Sequence, residues 1–328
     1  MEKETKQILL KINDLAVQYT SGDNVVSAVN GVSFELKKGE TLGLVGETGA
    51  GKTTIAKTIL RILPDPPAKI RRGQVIYNGT DLLTMSEKEV RKIRGKKISM
   101  IFQDPMTALN PMFPVGKQIT EAIKIHEPLT SAQAKDRAVQ MLELVGIPGE
   151  RYGEYPHQFS GGMKQRVVIA LAIACNPELL IADEPTTALD VTIQAQVLEM
   201  MTQLKEKLNT SMILITHDLG IVAEMCDRVA IVYAGEIVEM GNREHIFDEP
   251  AHPYTKGLFE ALPSVNMKAK RLKPIEGLTP DPANLPKGCK FHPRCPYATP
   301  QCADRIPELK EITKGHWTRC SASRKEGG

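Results

Sequence analysis

Nine residues, Gly46-Glu47-Thr48-Gly49-Ala50-Gly51-Lys52-Thr53-Thr54, carry the spacing G-x-x-x-x-G-K-[ST]. Glycines at these intervals let backbone N–H groups converge on phosphate oxygens, and a helix N-terminus behind them adds partial positive charge. Lys52 is placed to reach β- and γ-phosphates, and the Thr53 hydroxyl to ligate Mg²⁺. The plain alternative is a glycine turn between a strand and a helix. Context weighs against it, because Thr41-Leu42-Gly43-Leu44-Val45 reads as a buried strand and Ile55-Ala56-Lys57-Thr58-Ile59-Leu60 as a helix. The stretch therefore predicts a nucleoside-triphosphate site.

Further along, Leu179-Leu180-Ile181-Ala182 runs into the paired acids Asp183-Glu184. An apolar parallel strand that delivers carboxylates at its C-terminal end is where α/β sheets place ligand chemistry. Asp183 would hold the Mg²⁺ shell, and Glu184 would orient and deprotonate the attacking water. A solvated acid pair opening a loop is the competing reading. Met212-Ile213-Leu214-Ile215-Thr216 delivers His217-Asp218 in the same way, as a phosphate contact or as a structural histidine. Ser160-Gly161-Gly162 stands just before the apolar helical run 167–174, which puts a polar cap and bare N–H groups at a helix start. Simple helix capping would look the same.

The elements that position these groups alternate strand and helix. Strands are expected at Ile8 to Tyr19, Val32 to Leu36, Gln74 to Tyr77 and Lys97 to Phe102, the last ending at Gln103-Asp104-Pro105. Ser131 to Val145 reads as an amphipathic helix ended by Gly146 and Pro148. The run from Met106 to Pro114 mixes loop composition with apolar residues and suggests a partner surface.

The 328 residues suit one large domain plus a smaller one. A net charge of +3 and a pI near 8.4 are too mild to argue for nucleic acid as a partner. No apolar run approaches the ~18 residues of a membrane span. Met1 to Lys6 carries acidic residues with no apolar stretch after it, so a cytosolic chain with few disulfides is expected rather than a secreted one.

Taken in order, Tyr19, Gly46 to Thr54, Gln103, Ser160-Gly161-Gly162, Asp183-Glu184, Ala188-Leu189-Asp190 and His217 resemble the nucleotide-binding subunit of an ABC transporter. They match its A-loop, Walker A, Q-loop, signature, Walker B, D-loop and switch histidine, over residues 8 to 250. The signature departs from the commonest form, with Phe159 first and Met163 last. The resemblance implies an α/β, ABC-type P-loop NTPase: a RecA-like core, an antiparallel β-subdomain and a helical subdomain at about 105–175. It also implies adenine stacking by Tyr19, γ-phosphate sensing by Gln103 and His217, and Gln103 near the Mg²⁺. ATP would sit between the P-loop of one subunit and Ser160, Gly161 and Gly162 of another, with Asp190 close by. Residues 103 to 114 would bear on membrane subunits.

The tail adds to this. Ala251-His252-Pro253-Tyr254-Thr255-Lys256-Gly257-Leu258 and Gly288-Cys289-Lys290-Phe291-His292-Pro293-Arg294-Cys295-Pro296 resemble the extension of peptide-type importers, giving a domain division of 1–250 and 251–328. The family form that fits best is the D-type ATPase of dipeptide and oligopeptide permeases. Its implied partners are an F-type ATPase or a second copy, two transmembrane permease subunits and, indirectly, an extracellular or periplasmic peptide-binding protein. The implied location is peripheral, on the cytoplasmic side of the membrane. Importers of nickel or oligosaccharides, ABC exporters and non-transport ABC ATPases are the alternatives.

Four of the six cysteines, Cys289, Cys295, Cys302 and Cys320, are spaced C-x5-C-x6-C-x17-C in a proline-rich segment with few apolar runs. Such a segment buries little core by itself and is expected to need a staple, and a metal site suits a reducing compartment. The gaps are wider than the usual zinc pairs. The resemblance to peptide-permease ATPases implies a four-iron four-sulfur cluster here, with zinc and uncommitted thiols as alternatives. Cys175 and Cys226 read as core thiols.

Overall fold

The computed structural model describes residues 7–187, 189–261 and 274–321, with backbone only for Pro105 and Met106. Ala188 of the D-loop stretch, the Met1 to Lys6 segment and the linker at 262–273 lie outside the described residues. The strands are β1 (Ile8–Ser21), β2 (Asn24–Lys37), β3 (Thr41–Val45), β4 (Ala68–Tyr77), β5 (Thr80–Asp81) and β6 (Ile98–Ile101). They continue with β7 (Leu179–Asp183), β8 (Ser211–Thr216), β9 (Arg228–Tyr233), β10 (Glu236–Asn242), β11 (Lys310–Thr313) and β12 (His316–Thr318). The chain divides into two compact units that interleave along the sequence.

The first unit takes Leu10–Glu35, Leu42–Thr80 and His217–Gly328. It contains an antiparallel sheet ordered β2-β1-β4-β5, in which Tyr19 stands opposite Ala68. It also contains the strand run β11-β12-β10-β9-β3. All five residues of β3 are buried, and the strand pairs in parallel with β9, Leu42 opposite Arg228. A continuous apolar run covered on both faces is what a parallel strand of this kind requires. Gly43 has a packing reason, since a Cβ there would come within 2.9 Å of Cys226 Sγ.

The second unit takes Met1–Leu9, Leu36–Thr41 and Asp81–Thr216. Here β6, β7 and β8 run parallel, with Ile101 opposite Ala182 and Asp183 opposite Ile215. Helices Val115–His126, Ser131–Leu144 and Gly161–Ile173 belong to the same unit. The second starts where expected because Thr130 and Gln133 form a reciprocal capping box. It buries Ala134, Ala138, Met141 and Leu142, and Gly146 at φ +75° turns the chain away. In the loop before these helices Met112 and Phe113 are exposed, whereas Leu109 is buried.

The tail corrects one expectation. No group of three or more His, Cys, Asp or Glu side chains among the described residues is arranged to hold a metal ion, so the four-iron four-sulfur cluster on Cys289, Cys295, Cys302 and Cys320 is not supported, nor is zinc. The four cysteines do line one cavity of about 20 Å³, together with His292 and Tyr297. Burial pushes the Cys289 thiol up to about 11 and raises Cys295 as well. The premise behind the staple also fails, because the tail shares a core with the strands before it. Phe291 packs edge-on to Tyr233 and against Tyr254, and all three rings are buried. Each such ring contributes about 1.5–3 kcal/mol on burial. β12 also pairs with β10, where the buried His316 Nε2 lies 2.7 Å from a carboxylate oxygen of Glu239. Elsewhere, Cys226 is buried as expected and Cys175 is half-buried.

Glu239 accepts from the backbone N–H groups of Ala251 and His252 as well, and His252 Nδ1 accepts from Tyr254 N to cap helix Pro253–Glu260. Burial depresses His252 to about 4, against the pull of Glu239 and with help from Arg319. A depressed histidine leaves the unfolded chain binding the extra proton, so its contribution is complete above about pH 6.5 and is lost as pH falls toward 4. The loss amounts to about 3 kcal/mol at the acid limit. His252→Asn keeps a capping acceptor and removes the titration, so its urea-unfolding free energy should fall less between pH 7 and pH 5 than that of the wild type. Equal slopes for the two proteins would refute this account.

Candidate nucleotide site

In the first unit the loop between β3 and helix Lys52–Ile59 has the shape its glycines allow. A Cβ at Gly46 would stand 2.0 Å from the Val232 carbonyl oxygen. At Gly51 it would stand 2.3 Å from the Ala28 carbonyl oxygen, and the residue has φ +101°. No L side chain fits either position without moving backbone. The helix that follows has no side-chain cap at its N-terminus, the end that carries partial positive charge. Lys52 is buried, and its Nζ donates to the carbonyls of Gly46 at 2.6 Å and Glu47 at 3.0 Å, which holds the ammonium within the loop. Tyr19 Oη lies 3.3 Å from Thr54 Oγ1, bringing that ring beside the first turn of the helix. Glu47, Thr48, Gly49 and Ala50 line a cavity of about 90 Å³, and Thr53 is half-buried. His217 belongs to this unit and is exposed, and Asp218 caps the helix Leu219–Met225 behind it.

In the second unit Asp183 is buried at the C-terminal end of β7. Glu184 follows at φ +47°, a left-handed conformation that is uncommon for a non-glycine residue. Its N–H donates to the Ile215 carbonyl at 2.8 Å. Its carboxylate oxygen Oε2 accepts from Gln103 Nε2 at 2.9 Å and from Thr187 Oγ1 at 3.0 Å. The side chain is thus held by two donors. Ser160 and Asp190 are exposed helix caps, accepting from Met163 N and Ile193 N respectively. Gly161 faces open space, whereas a Cβ at Gly162 would meet Ile193 Cγ2 at 2.5 Å. The second glycine therefore lets the Gly161–Ile173 and Val191–Leu208 helices approach closely.

The ABC transporter family matches residues 29–187, and the C-terminal region of the oligopeptide/dipeptide transporter family matches residues 238–302. The oligopeptide transport ATP-binding protein OppD of Bacillus subtilis is 51% identical over 95% of this chain and 88% of its own length. The chain belongs to the oligopeptide/dipeptide branch of the ABC transporter ATP-binding proteins. The dipeptide transport ATP-binding protein DppD of the same organism is 49% identical, covering 95% of this chain and 94% of its own. Among solved structures, the ATP-binding cassette MJ0796, a dimer in a post-hydrolysis state bound to ADP and Pi, superposes with a TM-score of 0.65 at 25% identity. That likeness covers 72% of this chain and 99% of the other. ATP hydrolysis is the activity of this ABC subunit.

Sequence reasoning missed residues that act on these motifs through others. Thr187 was skipped, although a hydroxyl three residues after Glu184 is within reach of its carboxylate. Gln165, buried beside the signature, donates to the carbonyl of Pro185 and so fixes the turn after Glu184. Nothing in a lone glutamine announces that role. Arg294 and Tyr254, both in the tail, touch the Walker A loop, and local spacing carries no sign of it.

Proposed function

We propose that this chain is the ATP-hydrolysing subunit that powers import of dipeptides or oligopeptides through a membrane ABC transporter. The observation that carries this reading is the double match, an ABC ATPase segment followed by the oligopeptide/dipeptide transporter C-terminal region, in a chain about half identical to oligopeptide and dipeptide transport ATP-binding proteins. No helix among the described residues is long and apolar enough to cross a membrane. The subunit would therefore bind at the cytoplasmic face of two transmembrane permease subunits, with the exposed Met112 and Phe113 part of the surface that meets them.

The chemistry would be phosphoryl transfer to water. Lys52 and the N-terminus of the Walker A helix would bind the phosphates, and Tyr19 would stack on adenine. Glu184, held by Gln103 and Thr187, would take a proton from the attacking water. Thr53, Gln103 and Asp183 would each offer a hard oxygen donor of the kind Mg²⁺ prefers, and the ion would neutralise charge developing on the phosphate oxygens. His217 would contact the γ-phosphate. Ser160 and Gly162 would complete the site of a second ATPase, an F-type partner or another copy, with Asp190 near the same junction. Exposed caps at the start of the signature helix suit such a role.

ATP then favours the closed pair, because its contacts to both subunits exist only there, and hydrolysis removes them. Two outcomes follow. The isolated subunit should hydrolyse ATP slowly and with a rate per molecule that rises with concentration; full speed at high dilution would contradict the shared site. In proteoliposomes holding the permease subunits and a peptide-binding protein, dipeptides or oligopeptides should stimulate hydrolysis. A response to another solute with none to peptides would overturn the assignment.

A further inference from the structure

We infer that the C-terminal extension is part of the ATP site's machinery: Arg294 and Tyr254 grip Glu47 and thereby position the Walker A loop and neutralise its one acidic residue. The inference rests on that loop being the nucleotide site. Arg294 lies 247 residues from Glu47 in the chain, yet its Nη1 and Nη2 donate to the two oxygens of the Glu47 carboxylate at 2.8 and 3.2 Å. This is the forked geometry that makes arginine–carboxylate pairs directional. The Arg294 side chain is 6% exposed and that of Glu47 26%, so the pair is partly shielded from solvent. The guanidinium is anchored from behind as well, by Nε to the Glu276 carbonyl at 3.1 Å and Nη1 to Tyr233 Oη at 3.3 Å. A second grip comes from Tyr254, whose hydroxyl accepts from Glu47 N at 3.0 Å. Burial raises the Tyr254 phenol well above its ordinary range, so it stays protonated at any working pH.

Both grips act on a residue that also touches the reactive end of the loop, because the Glu47 carbonyl accepts from Lys52 Nζ. The tail meets the loop's surroundings again at Pro282, whose carbonyl accepts from Ser27 N at 2.9 Å. The cavity lined by Glu47, Thr48 and Gly49 is also lined by Thr279, Pro280 and Pro282. Electrostatics gives the arrangement a purpose. An unpaired carboxylate in a loop that receives a triphosphate repels its ligand, and in a poorly solvated place the repulsion is large. Arg294 cancels that charge without occupying the phosphate site. By reciprocity, ATP binding strengthens the docking of the tail to the same degree that the tail strengthens ATP binding.

The test is ATP affinity, read with a fluorescent ATP analogue on the full chain, for wild type, Arg294→Gln, Arg294→Lys and the double variant Arg294→Gln/Glu47→Gln. Arg294→Gln should raise Kd about tenfold, since it leaves Glu47 charged beside the phosphates. In the assembled transporter KM should rise similarly, with kcat within about threefold of wild type. The double variant should return Kd to within about threefold of wild type, because both charges are gone. A purely structural tail would instead shift the nucleotide-free unfolding temperature and leave the double variant at least as weak as the single one. Unchanged Kd in Arg294→Gln, or no recovery in the double variant, overturns the inference. If Arg294→Gln does not fold, Arg294→Lys carries the test, with a few-fold weaker binding expected and wild-type Kd the overturning result. Wild type that binds no ATP would refute the nucleotide site itself, which keeps the two failures apart.

Discussion

Glu184→Gln should lower ATP hydrolysis by about 10²- to 10⁴-fold, the range that a positioned general base contributes, with ATP affinity close to that of the wild type. The substitution keeps shape and polarity. Gln103 Nε2 and Thr187 Oγ1 both donate to one oxygen of Glu184, and a carboxamide oxygen can accept in the same place. What is lost is the second lone-pair-bearing oxygen with its negative charge, and with it the ability to take a proton from water. The variant should therefore hold ATP without consuming it and accumulate as the closed pair of subunits, detectable by size-exclusion chromatography with ATP and Mg²⁺. Hydrolysis within a few-fold of wild type would remove Glu184 from the role of base and return attention to His217.

Lys52→Ala acts one step earlier and should weaken ATP binding itself, by roughly 10- to 100-fold. A charge-assisted hydrogen bond is worth about 1.5–3 kcal/mol, and each 1.4 kcal/mol is tenfold in affinity. The Lys52 ammonium already sits inside the loop on the Gly46 and Glu47 carbonyls, so little side-chain entropy remains to be lost when phosphate arrives. Removing it also takes a donor from both carbonyls, leaving that of Glu47 with Ala50 N at 3.2 Å, so the loop should become less ordered as well as less positive. An ATP titration with unchanged affinity would refute the assignment. Loss of hydrolysis with full affinity would instead place Lys52 in the transition state alone.

The sequence by itself determined the phosphate loop, the carboxylates at the end of β7 and the order of the seven ABC motifs. Each depends on spacing over a few residues, and short spacing maps directly onto local geometry: glycines onto a loop, an apolar run onto a buried strand, a serine onto a helix cap. Tertiary structure decided what those groups touch. Gln103 and Glu184 are 81 residues apart and meet only because β6 and β7 are parallel neighbours. The left-handed backbone at Glu184 is held by the Ile215 carbonyl on the adjacent strand, a constraint absent from any local pattern. The tail shows the limit most plainly. Its cysteine count and proline content suggested a segment without a core and therefore a metal staple. The rings that stabilise Phe291 are Tyr233 and Tyr254, contributed by β9 and by helix Pro253–Glu260, and burial supplied by distant residues leaves no trace in the composition of the segment it stabilises. The same holds for Arg294. As a sequence letter it is one more basic residue in a proline-rich tail, and only the folded chain brings its guanidinium to the Walker A carboxylate.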